Sequence, residues 1–144
     1  GAEAPFDLIL LDAPCSGTGT LRRHPDIKLL RQPADLPAYT ELQQALISNL
    51  WGLLKPGGCI IYCTCSLLAE ENDQVIHNFL NHIPKVLADE PSGDRPLIDS
   101  LDMPIGIPTR HGWQLLPLPA APEPPNRTVD GFYFARMTRQ EKAR

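Results

Sequence analysis

Two cysteines occupy positions where a thiol could act on a bound substrate. Cys15 lies in a loop of glycine and proline residues after the apolar segment Phe6–Leu11, and Cys65 follows the apolar segment Cys59–Cys63. Both segments predict strands, the first one buried on both faces of a parallel sheet, and ligands of open α/β sheets bind at the carboxyl ends of strands. If the two strands are neighbours, about 4.8 Å apart, both thiols line one pocket. A helix beginning soon after Cys65 would favour its thiolate, the nucleophilic form.

The four cysteines, Cys15, Cys59, Cys63 and Cys65, leave other roles open. A disulfide framework suits small secreted chains, and nothing in the sequence indicates secretion, so we expect free thiols. Three of the cysteines share one strand parity and His24 could join them, but no C-x-x-C knuckle is present and a strand splays its thiols. We therefore expect no metal site. Cys59 and Cys63 are expected to be inert, whereas spacing alone leaves Cys15 and Cys65 as structural residues or nucleophiles.

Two amphipathic helices are predicted on either side of the second strand. The first begins near Asp35, a good N-cap, has Pro37 in its first turn, and is stopped by the segment Lys55–Gly58 with a glycine in the left-handed conformation. Its predicted buried stripe comprises Leu42, Ala45, Leu46, Leu50, Leu53 and Leu54. The second helix has Glu70 and Glu71 near its positive N-terminus. Its predicted apolar face comprises Val75, Ile76, Phe79, Leu80 and Ile83.

The last third of the chain has a different composition. Prolines recur through residues 89–128, which predicts irregular chain with one short strand at 113–118, and residues 131–137 predict a final strand. The element order is then strand, helix, strand, helix, strand, strand. This order indicates the second half of an α/β sheet closed by an antiparallel pair. Because the chain starts abruptly on a buried strand, we expect an N-terminal portion of the domain to be missing.

Charge and hydropathy restrict the partners of such a domain. The net charge is −4, whereas nucleic-acid-binding modules are usually basic, so tight RNA binding by this chain alone is not expected. Basic residues do cluster in one island, for which a solvated loop is the ordinary interpretation. The island comprises Arg22, Arg23, His24, Lys28 and Arg31. No apolar run approaches the roughly 20 residues that span a bilayer and no signal peptide is present, so we expect a cytoplasmic protein without a membrane partner.

Several segments resemble motifs of the RNA cytosine-C5 methyltransferase family. The segment Phe6–Gly17, with Asp12-Ala13-Pro14-Cys15 at its centre, resembles the fourth motif of that family. Tyr62–Ser66, followed by Glu70-Glu71-Asn72, resembles its sixth motif, and Asp130–Tyr133 resembles its closing strand. The sequence RRHPD of the basic island is typical of the bacterial Sun/Fmu branch, and LKPGG before the second strand is typical of Rossmann-like methyltransferases. Leu8 departs from the family, which often has a basic residue there.

The resemblance implies methylation of cytosine C5 in RNA, in this branch bacterial 16S ribosomal RNA, with S-adenosylmethionine as cofactor. It assigns the attack on cytosine C6 to Cys65 and assistance in releasing the product to Cys15. Asp12 would contact the cytosine edge and the methyl-donor end of the cofactor. The target base would have to be unstacked from its neighbours to reach these groups.

The resemblance also changes the interpretation of the basic island. Arg22, Arg23 and Lys28 follow the loop that carries Cys15, where the phosphates of a bound RNA would pass. We therefore expect these side chains to contact ribosomal RNA. The separate N-terminal RNA-binding domain of this branch is not found in the sequence.

The implied fold is α/β, the C-terminal half of a Rossmann-like class I methyltransferase domain with a mainly parallel sheet and a closing antiparallel pair. Residues 1–144 would then be the C-terminal part of one catalytic domain, without the glycine-rich loop that holds the cofactor. We expect such a piece to be inactive alone, to bind no cofactor detectably, and to self-associate through the strand Phe6–Leu11. An inert RNA- or partner-binding module is the alternative.

Two further enzyme classes fit less well. Methyltransferases that act on amino nitrogens usually have Asn/Asp-Pro-Pro-aromatic where this chain has the sequence DAPC. In a DNA cytosine-C5 enzyme the nucleophile would be the Pro-Cys cysteine, here Cys15, and the sequence TCS around Cys65 would have no role.

Overall fold

The computed structural model describes residues 4–21, 23–86, 96–117 and 130–141. Its helices are α1 (Ile27–Leu30), α2 (Leu36–Trp51) and α3 (Asp73–Val86), and short 3-10 turns occupy Thr18–Thr20, Pro33–Asp35 and Ala69–Glu71. Its strands are β1 (Phe6–Asp12), β2 (Leu54–Thr64), β3 (Pro96–Ile98), β4 (Ile107–Pro108), β5 (Trp113–Leu115) and β6 (Phe132–Arg139). All six strands join one sheet. Five of them follow one another in the order β1-β2-β6-β5-β4, and β3 pairs separately with β6.

The two longest strand pairings of the sheet involve β2. β1 and β2 are parallel, with Ile9 opposite Ile60 and Asp12 opposite Cys63. On the other side of β2, the strand β6 runs antiparallel, and β5 and β3 pair antiparallel with its two halves. The predicted α/β fold with antiparallel closing strands is confirmed. Because β1 and β2 are parallel neighbours, the loops that follow them leave from the same edge of the sheet.

The hydrophobic core lies between one face of this sheet and the helices α2 and α3. The predicted apolar face of α3 is confirmed, since its members are buried and only Leu80 is partly exposed. Trp51 of α2 meets Phe79 of α3 edge to face, with ring centroids 5.4 Å apart. Such aromatic pairs add about 0.5–1.5 kcal/mol beyond the area that they bury.

The predicted buried stripe of α2 is confirmed only in part. Leu46 and Leu50 are partly buried and pack against the core, and Leu54, which belongs to β2, is buried, whereas Leu42, Ala45 and Leu53 are exposed. The buried residues of this helix are Gln43, Ile47 and Trp51, while Leu42 is 45% exposed. Leu42, Leu46 and Leu50 follow one another at intervals of four residues and lie along one side of α2, next to the buried face rather than at its centre. The buried face also includes the polar side chain of Gln43, whose amide donates to the carbonyl oxygen of Pro14 at 2.8 Å and thereby ties α2 to the loop after β1.

The expectation that β1 is buried on both faces is also wrong in this structure. Ile9 and Leu11 face the core, whereas Leu8 and Leu10 on the other face are 59% and 67% exposed. Both long helices pack on the core face, and β1 forms the edge of the described sheet. The strand therefore shows the alternating pattern of a sheet covered on one side.

The turn before β2 also differs from the prediction. The helix α2 ends at Trp51, and the segment Lys55–Gly58 lies within β2 rather than in the turn. Gly57 has the expected left-handed conformation, with φ +81°, opposite the register shift between β1 and β2. Asp35 directly precedes α2, but its carboxylate accepts from the backbone nitrogen of Gln32 at 2.8 Å rather than from α2.

The proline-rich stretch contains more strand than the sequence predicts. Of residues 89–128, the structure describes 96–117, which contain β3, β4 and β5, and the predicted strand at 113–118 ends at Leu115. The rest of the stretch lies outside the described residues. The predicted final strand is confirmed as β6. Among the described helices, none is long and apolar enough to cross a membrane.

Candidate active site

The loops after β1 and β2 bring Cys15 and Cys65 together. Their Sγ atoms lie 3.3 Å apart, within hydrogen-bonding distance, and both thiols are free. Burial, followed by the hydrogen bond to Cys65, raises the pKa of the Cys15 thiol from 9.0 to about 12. Cys15 therefore keeps its proton at neutral pH, and this proton can be directed at the sulfur of Cys65. The expectation that neighbouring strands place both thiols in one site is confirmed.

Backbone hydrogen bonds lock the two thiol-bearing loops against each other. The nitrogen of Ala13 donates to the carbonyl of Cys63 at 2.9 Å, and the nitrogen of Gly19 donates to the carbonyl of Cys65 at 2.9 Å. Gly131, just before β6, donates to the carbonyl of Gly19 at 2.8 Å. A Cβ atom at Gly19 would lie 2.8 Å from the Cys65 carbonyl and would also meet the backbone of Gly131. Only glycine permits this approach of three segments.

A buried carboxylate, that of Glu71, joins the residues that follow each cysteine. It accepts from the backbone nitrogen of Ser16 at 2.8 Å, from the Ser16 hydroxyl at 2.7 Å, and from the Ser66 hydroxyl. The amide of Gln43 donates to the same carboxylate at 3.3 Å. Glu71 is fully buried. Hydrogen bonds to charged groups are the strong ones, and leaving a buried member unpaired costs several kcal/mol. Glu71 therefore fixes the spacing of the two loops.

A second layer of hydrogen bonds fixes Glu71 and its neighbour Asn72. The hydroxyl of Tyr62, in the middle of β2, donates to the Glu71 carbonyl at 2.6 Å, and burial raises the pKa of Tyr62. The side chain of Asn72 accepts from Thr64 at 2.6 Å and donates to the Ser66 carbonyl at 2.9 Å and to Gln114 at 3.0 Å. These residues come from β2, β5 and the turn before α3, so the site is held by the sheet itself.

The carboxylate of Asp12 lies at the same edge of the sheet and is exposed. The thiol of Cys63, opposite it in register, donates to its Oδ1 atom at 3.8 Å. Burial and then the charge of Asp12 raise the pKa of Cys63 to about 11, so this thiol stays protonated at neutral pH. Among the described residues, no group of three or more His, Cys, Asp or Glu side chains is arranged to hold a metal ion.

The basic island is only partly described by the structure. Arg22 lies outside the described residues, Arg23 forms an ion pair with Asp130, and Lys28 is exposed in α1. Arg31 donates from Nε to the carbonyl of Ser16 at 3.3 Å. The island therefore adjoins the loop that carries Cys15. Arg31 contacts that loop directly, whereas Arg23 is paired with Asp130.

Sequence reasoning missed the connecting role of Glu71, Ser16, Ser66 and Gln43. The sequence predicts Glu71 near the positive end of a helix, and the predicted buried stripe of α2 does not include Gln43. One signal was available, since each of the two cysteines is followed directly by a serine. Once the two strands are adjacent, two hydroxyls beside two thiols can share one acceptor, and the structure shows that this acceptor is Glu71.

Two solved structures have a fold similar to that of this chain. One is the crystal structure of the protein PH0851. Its superposition includes 98% of this chain and 28% of the PH0851 chain, at 29% sequence identity and a TM-score of 0.72. The other is the crystal structure of a methyltransferase homolog protein from Pyrococcus horikoshii. Its superposition includes 94% of this chain and 40% of that chain, at 28% sequence identity and a TM-score of 0.61.

The chain is also similar to curated proteins of known family. It is 44% identical over 133 residues to the ribosomal RNA small subunit methyltransferase B of Pseudomonas putida. The aligned region covers 92% of this chain and 27% of that protein. The chain thus spans about a quarter of the length of such relatives. The family described as 16S rRNA methyltransferase RsmB/F matches residues 1–138. These findings confirm the family resemblance seen in the motifs, and the chain belongs to the 16S rRNA methyltransferase RsmB/F family.

Proposed function

We propose that the protein containing this chain methylates C5 of a cytosine in bacterial 16S ribosomal RNA, with S-adenosylmethionine as the methyl donor. Membership in a 16S rRNA methyltransferase family supports the substrate class and the reaction. The observation that carries the choice of cytosine C5 is the thiol pair, with Cys15 and Cys65 separated by 3.3 Å between their sulfur atoms. A paired thiol site has an evident use in this reaction, because C5 of cytosine must be activated before it can accept a methyl group.

Cys65 is assigned the nucleophilic step. Its thiolate adds to C6 of the cytosine, a carbon–sulfur bond forms, and the electron pair of the C5–C6 double bond makes C5 reactive. The raised pKa of Cys15 makes its thiolate scarcer still at neutral pH, which disfavours this thiol as the attacking group. A thiol that keeps its proton can donate a hydrogen bond to the sulfur of Cys65, which suits Cys15 to the end of the reaction.

Release of the product needs two changes after methyl transfer. The proton leaves C5 to solvent water, and its electron pair restores the C5–C6 double bond as the bond between C6 and the sulfur of Cys65 breaks. Cys15 donates a hydrogen bond to the departing thiolate across the 3.3 Å that separates the two sulfurs, which stabilises the leaving group. The spacing set by Glu71 keeps the two sulfurs in reach throughout.

The cofactor supplies a methyl group from a positively charged sulfur. The exposed carboxylate of Asp12 fits the neighbourhood of that charge, and it ends β1 at the edge where Cys15 and Cys65 lie. The same carboxylate could accept from the N4 amine of the cytosine, which would orient the ring between the thiols and the methyl donor.

The test uses the full-length protein, purified 16S ribosomal RNA and isotopically labelled S-adenosylmethionine. We expect the label in 5-methylcytidine when the RNA is digested and its nucleosides are separated by mass spectrometry. Mapping of the labelled fragment then identifies the cytosine. Label at a ring nitrogen, at an exocyclic amine or on the ribose would contradict the proposal.

A further inference from the structure

A cavity of about 280 Å³ is lined in part by the loops that carry the two thiols. One wall comes from the loops after β1 and β2, where Ser16 and Thr18 meet Leu68. The opposite wall comes from the turn Pro33–Asp35 and the first turn of α2. Because Ser16 directly follows Cys15, the cavity begins within one residue of a catalytic candidate, about 3.8 Å along the chain.

The chemistry of the cavity is that of a stacking site. Arg31 and Tyr39 both line it, and the guanidinium carbon of Arg31 lies 5.6 Å from the centre of the Tyr39 ring. The hydrogen bond from Arg31 to the carbonyl of Ser16 anchors this cation at the active-site loop. Leu36 and Leu68 make the adjoining surface apolar. Proteins hold single-stranded bases in this manner, on aromatic rings and guanidinium planes beside positive charge.

We propose that this cavity holds a nucleobase next to the methylated cytosine in the RNA strand, stacked on the Arg31–Tyr39 pair. The inference rests on the proposed function and extends it to a second nucleotide. A cytosine that is drawn out of its stack leaves its neighbours without a partner, and a stacking surface beside the thiols compensates for that loss. Such a site would also orient the strand, because two bases fixed on one protein surface define its direction.

The lining of the cavity favours a base over a free phosphate. The cavity is mainly apolar, which disfavours a free phosphate, while the positive charge of Arg31 at its wall suits a strand with phosphates on either side. The carboxylate of Asp35 and the side chain of Gln32 line the same cavity, so polar atoms are available for the edge of a base.

The experiment is a double-mutant cycle between protein and RNA. The full-length protein is assayed on an RNA fragment that contains the mapped cytosine, and each flanking nucleotide in turn is made abasic. We expect Tyr39→Ala to raise KM about 5- to 100-fold on intact RNA, the range for removal of one stacked base, with kcat changed less. At one flanking position, the abasic RNA should lower kcat/KM of the unmodified protein by a similar factor and have no further effect on Tyr39→Ala.

Two variants control for structural damage. Tyr39→Phe keeps the ring and should behave as the unmodified protein, whereas Leu42→Ala, at an exposed position of the same helix, should leave the abasic effect intact. Additive losses at every flanking position would overturn the proposed base site. A protein that methylates no cytosine would instead overturn the proposed function itself, and the two failures are thereby distinguished.

Discussion

The thiol cluster (Cys15, Ser16, Cys65, Ser66 and Glu71) and the basic segment (residues 23–31) are near neighbours that are built in opposite ways. In the thiol cluster, Glu71 and Ser66 are fully buried and are joined by hydrogen bonds from three parts of the chain. In the basic segment, Leu29 and Leu30 are 84% and 67% exposed, and its helix, α1, has no buried residue.

The difference matches what each region has to do. Covalent chemistry between two sulfurs and a base needs fixed distances, and buried hydrogen bonds fix them because leaving one unmade is costly. Binding of RNA phosphates needs positive charge at the surface, where water screens each ion pair and small displacements cost little. One hydrogen bond, from Arg31 to the carbonyl of Ser16, joins the two regions. We therefore expect substitutions of the other members of one region to leave the properties of the other region unchanged.

The largest effect is expected from removing each of the two thiols in turn. In the full-length protein, Cys65→Ala should abolish methylation and any covalent adduct with RNA, because the attacking sulfur is gone. Cys15→Ala should instead accumulate the adduct, since attack proceeds and release stalls. Denaturing gels of protein with labelled RNA measure the adduct. An adduct with Cys65→Ala and none with Cys15→Ala would reverse the assigned roles.

Substitution of Glu71, which leaves both thiols in place, is expected to have a large effect on stability and on kcat. Glu71→Ala leaves the donors of Ser16 and Ser66 unpaired and should lower the free energy of unfolding by about 3 kcal/mol. Glu71→Gln keeps the size, and it should lower kcat on the order of 100-fold through misplacement of the two loops. Urea unfolding and steady-state kinetics measure the two quantities. Glu70→Gln, at the exposed neighbour, is the matched control and should leave both unchanged.

A moderate effect, confined to RNA binding, is expected in the basic island. Replacing Arg22 and Arg23 with alanine should lower the slope of log affinity against log salt by about 0.7 to 0.9 for each phosphate that the protein no longer neutralises. Lys28→Ala tests a third phosphate, and Lys55→Ala, whose side chain pairs with Asp7 at the opposite end of β1, is the control. Thermal unfolding should be unchanged for Lys28→Ala, whereas the change at Arg23 also removes the ion pair with Asp130 and should lower the melting temperature slightly. An equal slope in all variants would reduce the island to a solvated loop.

The smallest effect is a change in stability at alkaline pH. The folded protein holds the pKa of Cys15 near 12, above its ordinary 9.0, so the unfolded chain loses this proton first and stability falls as pH rises above about 9. Cys15→Ala should therefore lose less stability than the unmodified protein between about pH 8 and about pH 10 in urea unfolding. Cys63→Ala should act in the same direction, since burial raises the pKa of that thiol to about 11. An identical decline in all three proteins would show that neither thiol is protected by the fold.

Local pattern was sufficient for part of the fold. The apolar face of α3 and the strand β6 follow the sequence closely, because a clear apolar pattern identifies each of them. The inner face of α2 follows it only in part, since it includes Gln43, a polar side chain whose partners, Pro14 and Glu71, belong to other segments. Leu8 and Leu10 are likewise apolar side chains of the kind found in cores, yet they are exposed. Neither long helix covers their face of the sheet.

The available chemistry can be predicted from the amino-acid sequence, which places two thiols at strand ends, each followed by a serine and set in motifs typical of one enzyme family. Whether Cys15 and Cys65 touch was decided by the tertiary structure, through the parallel pairing of β1 with β2. The role of Glu71 was decided there as well. A carboxylate is stable inside a protein only where donors surround it, and those donors come from segments that are distant in sequence and adjacent only after the sheet has formed.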